Sequence, residues 1–264
     1  MKRHFFISLL MLSLINAISV LSCTSEKKEN PPAINSGSDL NTELPNQIYL
    51  WKEGNIPTTT LYTENNSGYF DPPGFHPNIV YTPVKQGVKV KGAVLICPGG
   101  AFQFRSNNEG VPVADYLAGL GYQSFVVNYR LRPYTMQEGA LDLARAVRYV
   151  RSHSTELGIN EKDIAVIGFS AGGILCGELL LNFDGNINGT SIDSKYKPDA
   201  LDQISANASA VGMIYSFYGR LSFASTDVEK FKVSDLPPAY FLYGTRDPFV
   251  SQFELCVNAL KQAS

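Results

Sequence analysis

Histidine is scarce in this sequence. The chain has three histidines in 264 residues, which argues against a histidine-rich metal cluster. Its four cysteines, Cys23, Cys97, Cys176 and Cys256, are spaced neither as a metal site nor as a dense disulfide framework. The 22 Lys and Arg residues nearly balance the 24 Asp and Glu residues, and no block of basic residues follows the N-terminus. We therefore expect no metal, no cofactor and no nucleic-acid partner.

The N-terminus has the pattern of an export signal. Lys2 and Arg3 precede the apolar run Phe5–Val20, which predicts a signal peptide over residues 1–22. The segment Val20–Cys23 resembles the lipobox of bacterial lipoproteins, although Leu21 is bulkier than is usual there. That resemblance implies lipidation of Cys23, and the alternatives are an ordinary signal peptide or an uncleaved anchor.

Residues 23–44 are rich in Ser, Asn, Glu, Lys and Pro and contain few large apolar side chains. Such a segment cannot bury enough surface to order itself, so we predict a disordered tether. Together with the signal, this predicts an exported protein held in a bacterial cell envelope through lipid alone. The sequence is silent on the oligomeric state.

The remaining segment, residues 45–264, alternates apolar strand patterns with helical patterns. This alternation predicts an α/β fold, a three-layer, doubly wound and mostly parallel sheet. Asp142 and Arg145 lie three apart in one predicted helix and can pair. Residues 182–208 form a long polar insertion. The predicted strands are 48–51, 78–82, 92–97, 124–129, 163–167, 211–217 and 239–243, and the predicted helices are 111–120, 138–157, 174–181 and 253–262.

The stretch Asp163–Gly173, DIAVIGFSAGG, places a G-x-S-x-G motif between a strand and a helix. In that context the motif forms a nucleophile elbow, in which the backbone strain exposes a serine above a helix N-terminus. Ser170 is therefore the candidate nucleophile. The alternative is a small-residue turn in which the serine only caps the helix.

Five motifs give the chain a specific resemblance. They are CPGGAF at 97–102, NYRLRP at 128–133, GFSAGG at 168–173, YSFYGR at 215–220 and FLYGTRDPFV at 241–250. With these motifs the chain resembles the α/β-hydrolase superfamily, in particular its acetyl-xylan-esterase-like and carbohydrate-esterase-like branch. The resemblance covers Gln47 to the C-terminus.

The resemblance implies roles for several residues. The backbone N–H groups of Gly100, Ala101 and Ala171 would form the oxyanion hole, although Pro98 stands where related families have histidine. Asp247, just after the strand at 239–243, would be the acid that orients the catalytic base. It could also serve as a turn residue before Pro248. Asp235 is a weaker candidate because it precedes that strand.

The base is missing from the expected position. The order in this superfamily is Ser, Asp, His, and no histidine follows Asp247. His4 lies in the signal, His76 precedes the core strands, and His153 lies on a predicted helix. We interpret this as a C-terminal truncation that removes the last strand, the histidine loop and the last helix. It would leave the strand at 239–243 as an exposed edge.

The sequence thus predicts a serine esterase for small esters or acylated carbohydrates, working through a covalent acyl-enzyme. Without a base the chain is expected to be nearly inactive. The alternative is a non-catalytic surface lipoprotein that binds a carbohydrate or ester ligand. A prolyl-oligopeptidase-type peptidase is disfavoured because no propeller is present, and a lipase because no long apolar lid is visible.

Overall fold

A computed structural model describes residues 44–182, 187–220, 223–224 and 226–264. The predicted signal peptide over 1–22, the predicted lipidation site Cys23 and residues 23–43 of the predicted tether lie outside the described residues. They stay predictions. In the part of the chain that is described, no helix combines the length and the apolar character needed to cross a membrane.

Strands and helices alternate along the described chain. The strands are Gln47–Tyr49 (β1), Asn78–Thr82 (β2), Gly92–Cys97 (β3), Tyr122–Asn128 (β4), Ile164–Phe169 (β5), Ala210–Ile214 (β6), Gly219–Arg220 (β7), Phe223–Ala224 (β8) and Ala239–Leu242 (β9). The α-helices are Val111–Gly119 (α1), Met136–Ser152 (α2), Ala171–Asn182 (α3), Gly189–Ile192 (α4), Val228–Val233 (α5) and Val250–Ala263 (α6).

Seven of these strands form one sheet in the order β1-β2-β4-β3-β5-β6-β9. β1 pairs with β2, and β2 with β4, in antiparallel fashion. All other neighbours are parallel, so the predicted mostly parallel sheet is confirmed. The strand at 239–242 lies at an edge of this sheet, as expected.

The sheet is covered on both faces. Along β3, Leu95 and Cys97 point into one core, whereas Val94 and Ile96 point into the other. The first core contains residues of α2, α3 and α6, and the second contains residues of α1. A parallel strand buried on both faces is expected to read as a continuous apolar run, which explains GAVLIC. The three-layer doubly wound architecture is confirmed.

Several predicted boundaries shift. α2 begins at Met136 rather than at residue 138, because Thr135 caps it and exchanges bonds with Glu138 in a capping box. α3 begins at Ala171, directly after Ser170, rather than at residue 174. β7, β8 and α5 were not predicted, since elements of two to six residues are too short for a periodic signal.

The predicted pairing of Asp142 with Arg145 is wrong. Asp142 is fully buried and pairs with Arg130, whose Nη2 lies 2.9 Å from its Oδ1. Arg145 instead donates to Asp199, with 2.7 Å between Nη1 and Oδ1. Pairs three residues apart stabilise exposed helix surfaces, but α2 is buried on most of its circumference. Each charge is therefore neutralised by the segment that covers it.

Candidate active site

Ser170 lies at the carboxyl end of β5, between that strand and α3. Its φ of 49° is in the left-handed region, which side chains rarely adopt. The conformation is held by its neighbours, because the Ser170 N–H donates to the Ile214 carbonyl at 2.9 Å and the Ser216 hydroxyl donates to the Ser170 carbonyl at 2.8 Å. This is the backbone expected of a nucleophile elbow.

The glycines of the motif permit close backbone approach. A Cβ on Gly168 would lie 2.4 Å from the Gly172 carbonyl carbon, and one on Gly172 would lie 2.0 Å from the Cys97 carbonyl oxygen. A Cβ on Gly173 would lie 2.4 Å from Cβ of Ser216. All three distances are shorter than real Cβ contacts, so α3 can approach β5, the end of β3 and the segment after β6 only with glycine at these positions.

The predicted oxyanion loop lies directly beside Ser170. It follows β3, and β3 pairs with β5, so the loop leaves the same edge of the sheet. A Cβ on Gly99 would lie 3.1 Å from Cβ of Ser170. Among the described residues, the N–H groups of Gly100 and Ala101 donate no backbone–backbone hydrogen bond outside helices and strands. Ala171 is the first residue of α3, where N–H groups have no partner within the helix.

Backbone strain concentrates at this edge. Of the described residues, five non-glycine residues have positive φ: Ala101 at 54°, Phe102 at 59°, Ser170 at 49°, Tyr215 at 39° and Asp235 at 42°. The first four follow β3, β5 and β6 at their carboxyl ends. Strained conformations cluster at functional sites because the surrounding structure must hold them. The strain thus marks the same location as the sequence motif.

Asp247 lies in the turn after β9. β9 is two strand positions from β5, so the two strands are about 10 Å apart across the sheet. Its Oδ1 accepts the N–H of Phe249 at 2.8 Å. Asp247 therefore acts as a turn residue, and its predicted role as the triad acid stays a prediction. The weaker candidate Asp235 precedes β9 and lies at the opposite edge of the sheet.

Neither described histidine lies next to Ser170. His76 contacts the Trp51 carbonyl through Nε2 at 2.6 Å and precedes β2, three strand positions from β5. His153 follows α2 at the opposite edge of the sheet and stacks on Tyr149 with 4.0 Å between ring centroids. In the described part of the chain, no three His, Cys, Asp or Glu side chains are grouped to hold a metal ion.

Sequence reasoning missed three polar side chains next to the elbow. Glu109, in the turn before α1, accepts the Gly99 N–H at 2.7 Å through Oε2 and the Tyr215 hydroxyl through Oε1. Ser216 bonds the Ser170 carbonyl, as described above. Tyr215 and Ser216 belong to the motif YSFYGR, so the resemblance pointed to the segment without assigning them a role. Glu109 has no comparable sequence signal.

A second set of contacts fixes the loop at 64–77 beside the oxyanion loop. Arg105 donates to Asp71, with 3.0 Å between Nη1 and Oδ2, and to the Tyr129 carbonyl at 2.7 Å. Its guanidinium also lies 4.7 Å from the ring centroid of Phe75. The Tyr129 hydroxyl donates to the Pro98 carbonyl at 2.6 Å. The oxyanion loop is thereby held by buried polar contacts on one side.

The buried thiol of Cys97, at the end of β3, is a poor nucleophile candidate. Burial raises the pKa of Cys97 well above its ordinary value, and contact with Cys176 raises it further. A thiol with a raised pKa carries little thiolate, the reactive form. Ser170 is thus the stronger nucleophile candidate at this edge.

A cavity of about 530 Å³ lies between α5, α6 and the amino end of β9. Its lining includes Phe231, Leu236, Phe241 and Leu260, but not Ser170 or the oxyanion loop. Ser170 lies at the carboxyl ends of the strands, whereas this cavity lies at the amino end of β9. The cavity is therefore separate from the site around Ser170.

The parallel sheet, the strained serine between strand and helix, and the glycine loop beside it define an α/β-hydrolase fold of the esterase branch. The chain matches the family model BD-FAE over residues 79–245. It therefore belongs to the BD-FAE family, and the resemblance noted in the sequence is confirmed.

Similar proteins include polysaccharide-related hydrolases. The acetyl ester-xyloside bifunctional hydrolase of Caldicellulosiruptor lactoaceticus has a similar structure, with a TM-score of 0.63 and 27% identity, covering 82% of this chain and 81% of that one. Endo-1,4-beta-xylanase B of Butyrivibrio fibrisolvens is 31% identical over 129 residues, 47% of this chain and 20% of the relative. Acetylxylan esterase of Xylanibacter ruminicola is 38% identical over 84 residues, 31% of this chain and 18% of the relative. The chain thus matches about a fifth of the length of these curated relatives.

Proposed function

We propose that the chain is a carboxylic ester hydrolase that uses Ser170 as its nucleophile on acyl groups carried by carbohydrates. The observation that carries this proposal is the left-handed backbone of Ser170 with Gly99 packed against its Cβ. The substrate class is supported by the similarity to an acetylxylan esterase and to an acetyl ester-xyloside hydrolase.

The chemistry follows from the position of the groups. The Ser170 Oγ attacks the ester carbonyl carbon while a base removes its proton, and the carbonyl oxygen becomes an oxyanion. The N–H groups of Gly100, Ala101 and Ala171 would donate to that oxyanion. Collapse of the intermediate expels the alcohol, which takes up the proton, and leaves an acyl-serine that water then cleaves.

Among the described residues, no histidine lies next to Ser170 to act as its base. No histidine follows Asp247 in the sequence, and His76 and His153 lie elsewhere. An oxyanion hole without a base retains about 10³- to 10⁴-fold catalysis over water. We therefore propose slow, Ser170-dependent hydrolysis, with Asp247 oriented to serve a base if one is provided.

Chemical rescue tests this proposal. Hydrolysis of p-nitrophenyl acetate would be followed with and without added imidazole, which can act as a diffusible base. We expect imidazole to raise the rate of the chain above that of Ser170→Ala measured at the same imidazole concentration. Ser152→Ala, an exposed serine outside the site, is the matched control and should behave as wild type. Equal rates for wild type and Ser170→Ala at every concentration would refute the proposal.

The second candidate is a binding protein without turnover, and the distance of both described histidines from Ser170 favours it. It requires that acetylated xylo-oligosaccharides bind with equal affinity to wild type and to Ser170→Ala, as measured by calorimetry. It also requires that no Ser170-dependent hydrolysis appears with imidazole. Both results together would select this candidate over the esterase.

A further inference from the structure

The carboxylate of Glu109 bridges two segments that flank Ser170. Its Oε2 accepts the Gly99 N–H at 2.7 Å, and its Oε1 accepts the Tyr215 hydroxyl. Gly99 belongs to the loop after β3, and Tyr215 follows β6. β3 and β6 are the two neighbours of β5, so this one side chain ties together the two sides of the elbow.

Gly99 is held at both of its backbone groups. While its N–H donates to Glu109, its carbonyl accepts the N–H of Ser106 at 3.0 Å. A Cβ on Gly99 would lie 3.0 Å from Oε2 of Glu109 and 3.1 Å from Cβ of Ser170. The carboxylate and the nucleophile therefore both lie next to the same point of the loop.

The loop that follows needs such support. Ala101 and Phe102 have φ of 54° and 59°, a left-handed conformation that is unfavourable for residues other than glycine. The Gly100 carbonyl accepts the N–H groups of Gln103 at 2.9 Å and Phe104 at 3.3 Å, which turns the loop back on itself. These two bonds fix the tip of the loop but do not connect it to Ser170.

Tyr215 is suited to donate to the carboxylate. Burial raises the pKa of its hydroxyl, and the hydrogen bond to Glu109 raises it further, so the phenol stays protonated. Its backbone is itself strained, with φ of 39°. Glu109 thus connects two strained segments, the loop after β3 and the segment after β6, through its two oxygens.

We propose that Glu109 is a positioning residue of the esterase: by accepting from Gly99 and Tyr215 it holds the N–H groups of Gly100 and Ala101 towards Ser170. The inference rests on the proposed function. It assigns to Glu109 no contact with substrate and no proton transfer. What matters is acceptor geometry, which a glutamine side chain can partly reproduce through its amide oxygen and an alanine cannot.

Imidazole-assisted hydrolysis of p-nitrophenyl acetate tests the proposal in Glu109→Ala and Glu109→Gln. We expect Glu109→Ala to lower kcat about 10- to 100-fold, as misplaced oxyanion donors do, with KM changed less than about twofold since ground-state binding is not involved. Glu109→Gln should retain kcat within about fivefold, because one N–H acceptor is kept. Asp115→Ala, which removes an exposed carboxylate on α1, is the control and should leave kcat unchanged.

The outcomes separate this inference from the proposed function. Wild-type rates in Glu109→Ala, or equal losses in the Ala and Gln variants, would overturn the positioning role while leaving Ser170 as nucleophile.

If wild type shows no Ser170-dependent hydrolysis, the esterase proposal fails. Amide hydrogen exchange then tests whether Glu109 positions the loop. Faster exchange at Gly99 in Glu109→Ala, with β3 still protected, would support the positioning role, and unchanged exchange would overturn it. If Glu109→Ala does not fold, Tyr215→Phe replaces it, with an expected loss in kcat of about three- to tenfold.

Discussion

The carboxylate of Glu138 should make the stability of this domain depend on acid. Glu138 is fully buried near the start of α2 and accepts the backbone N–H of Thr135 at 2.6 Å and of Thr59 at 2.9 Å. The hydroxyl of Thr60 donates to it at 2.7 Å, and the hydroxyl of Thr58 donates to it as well. These bonds fasten the segment at 58–60 onto α2.

Burial raises the pKa of the Glu138 carboxyl, but the hydrogen bonds from Thr58, Thr135 and Thr60 and the nearby Arg130 outweigh it. The result is a pKa lowered from 4.5 to about 2. At about 1.4 kcal/mol per pKa unit, the shift corresponds to about 3 kcal/mol. The variant Glu138→Gln keeps one acceptor oxygen, so we expect it to lose about 2 kcal/mol of this free energy. Because the folded pKa is the lower one, this stability is present above pH 4.5 and is lost as the pH falls towards 2.

Glu138→Gln removes this charge, and its effect can be measured by urea unfolding followed through the fluorescence of Trp51, which is buried and the only tryptophan of the sequence. We expect the free energy of unfolding of wild type to exceed that of the variant by about 2 kcal/mol at pH 7, and by less than half of that at pH 3. Glu161→Gln removes an exposed carboxylate and should match wild type at both pH values. A difference for Glu138→Gln that stays constant between pH 7 and pH 3 would show that the charge of Glu138 contributes nothing to stability.

Two further predictions concern packing and buried charge. Gly172→Ala should lower the free energy of unfolding by about 3 kcal/mol or more, since its Cβ would overlap the Cys97 carbonyl. Gly119→Ala, in a helix with its nearest atom 3.8 Å away, should raise it by about 0.5 kcal/mol. Urea unfolding measures both, and equal effects would contradict the close approach. Arg130→Met should lower the free energy of unfolding by about 3 to 5 kcal/mol because it leaves the buried Asp142 carboxylate without its positively charged partner. The double variant Arg130→Met/Asp142→Asn should cost less than Arg130→Met alone, and a larger loss in the double variant would contradict the assignment of the pair.

The fold could be predicted from the sequence because its strongest elements have strong local signals. GAVLIC is apolar throughout since both faces of β3 are covered, and the long periodic pattern of α2 identified a helix. The start of α3 was placed too late because the small residues of the elbow, Ala171 to Gly173, have no helical periodicity. Their helical conformation comes from close packing against β3 and β6, which no window of sequence contains.

The candidate site could be predicted in part for the same reason. Ser170 and the glycine loop are local motifs, so the sequence located them. Glu109 lies 106 residues from its partner Tyr215. Pairings of this kind depend on strand order, which decides that β3 and β6 flank β5 and which a single sequence does not state.

The motif NYRLRP joins the buried charges to the oxyanion loop. The Tyr129 hydroxyl holds the Pro98 carbonyl at 2.6 Å, directly before Gly99. Its neighbour Arg130 donates to both oxygens of Asp142 and, at 2.7 Å, to the Pro57 carbonyl. A loss of the Arg130 pair would therefore release the backbone that positions Tyr129, and with it one support of the loop beside Ser170. Because Tyr129 is fully buried, losing its bond to Pro98 would be unfavourable for its hydroxyl. We therefore expect the conformation of the oxyanion loop to depend on a buried ion pair that makes no contact with Ser170 itself.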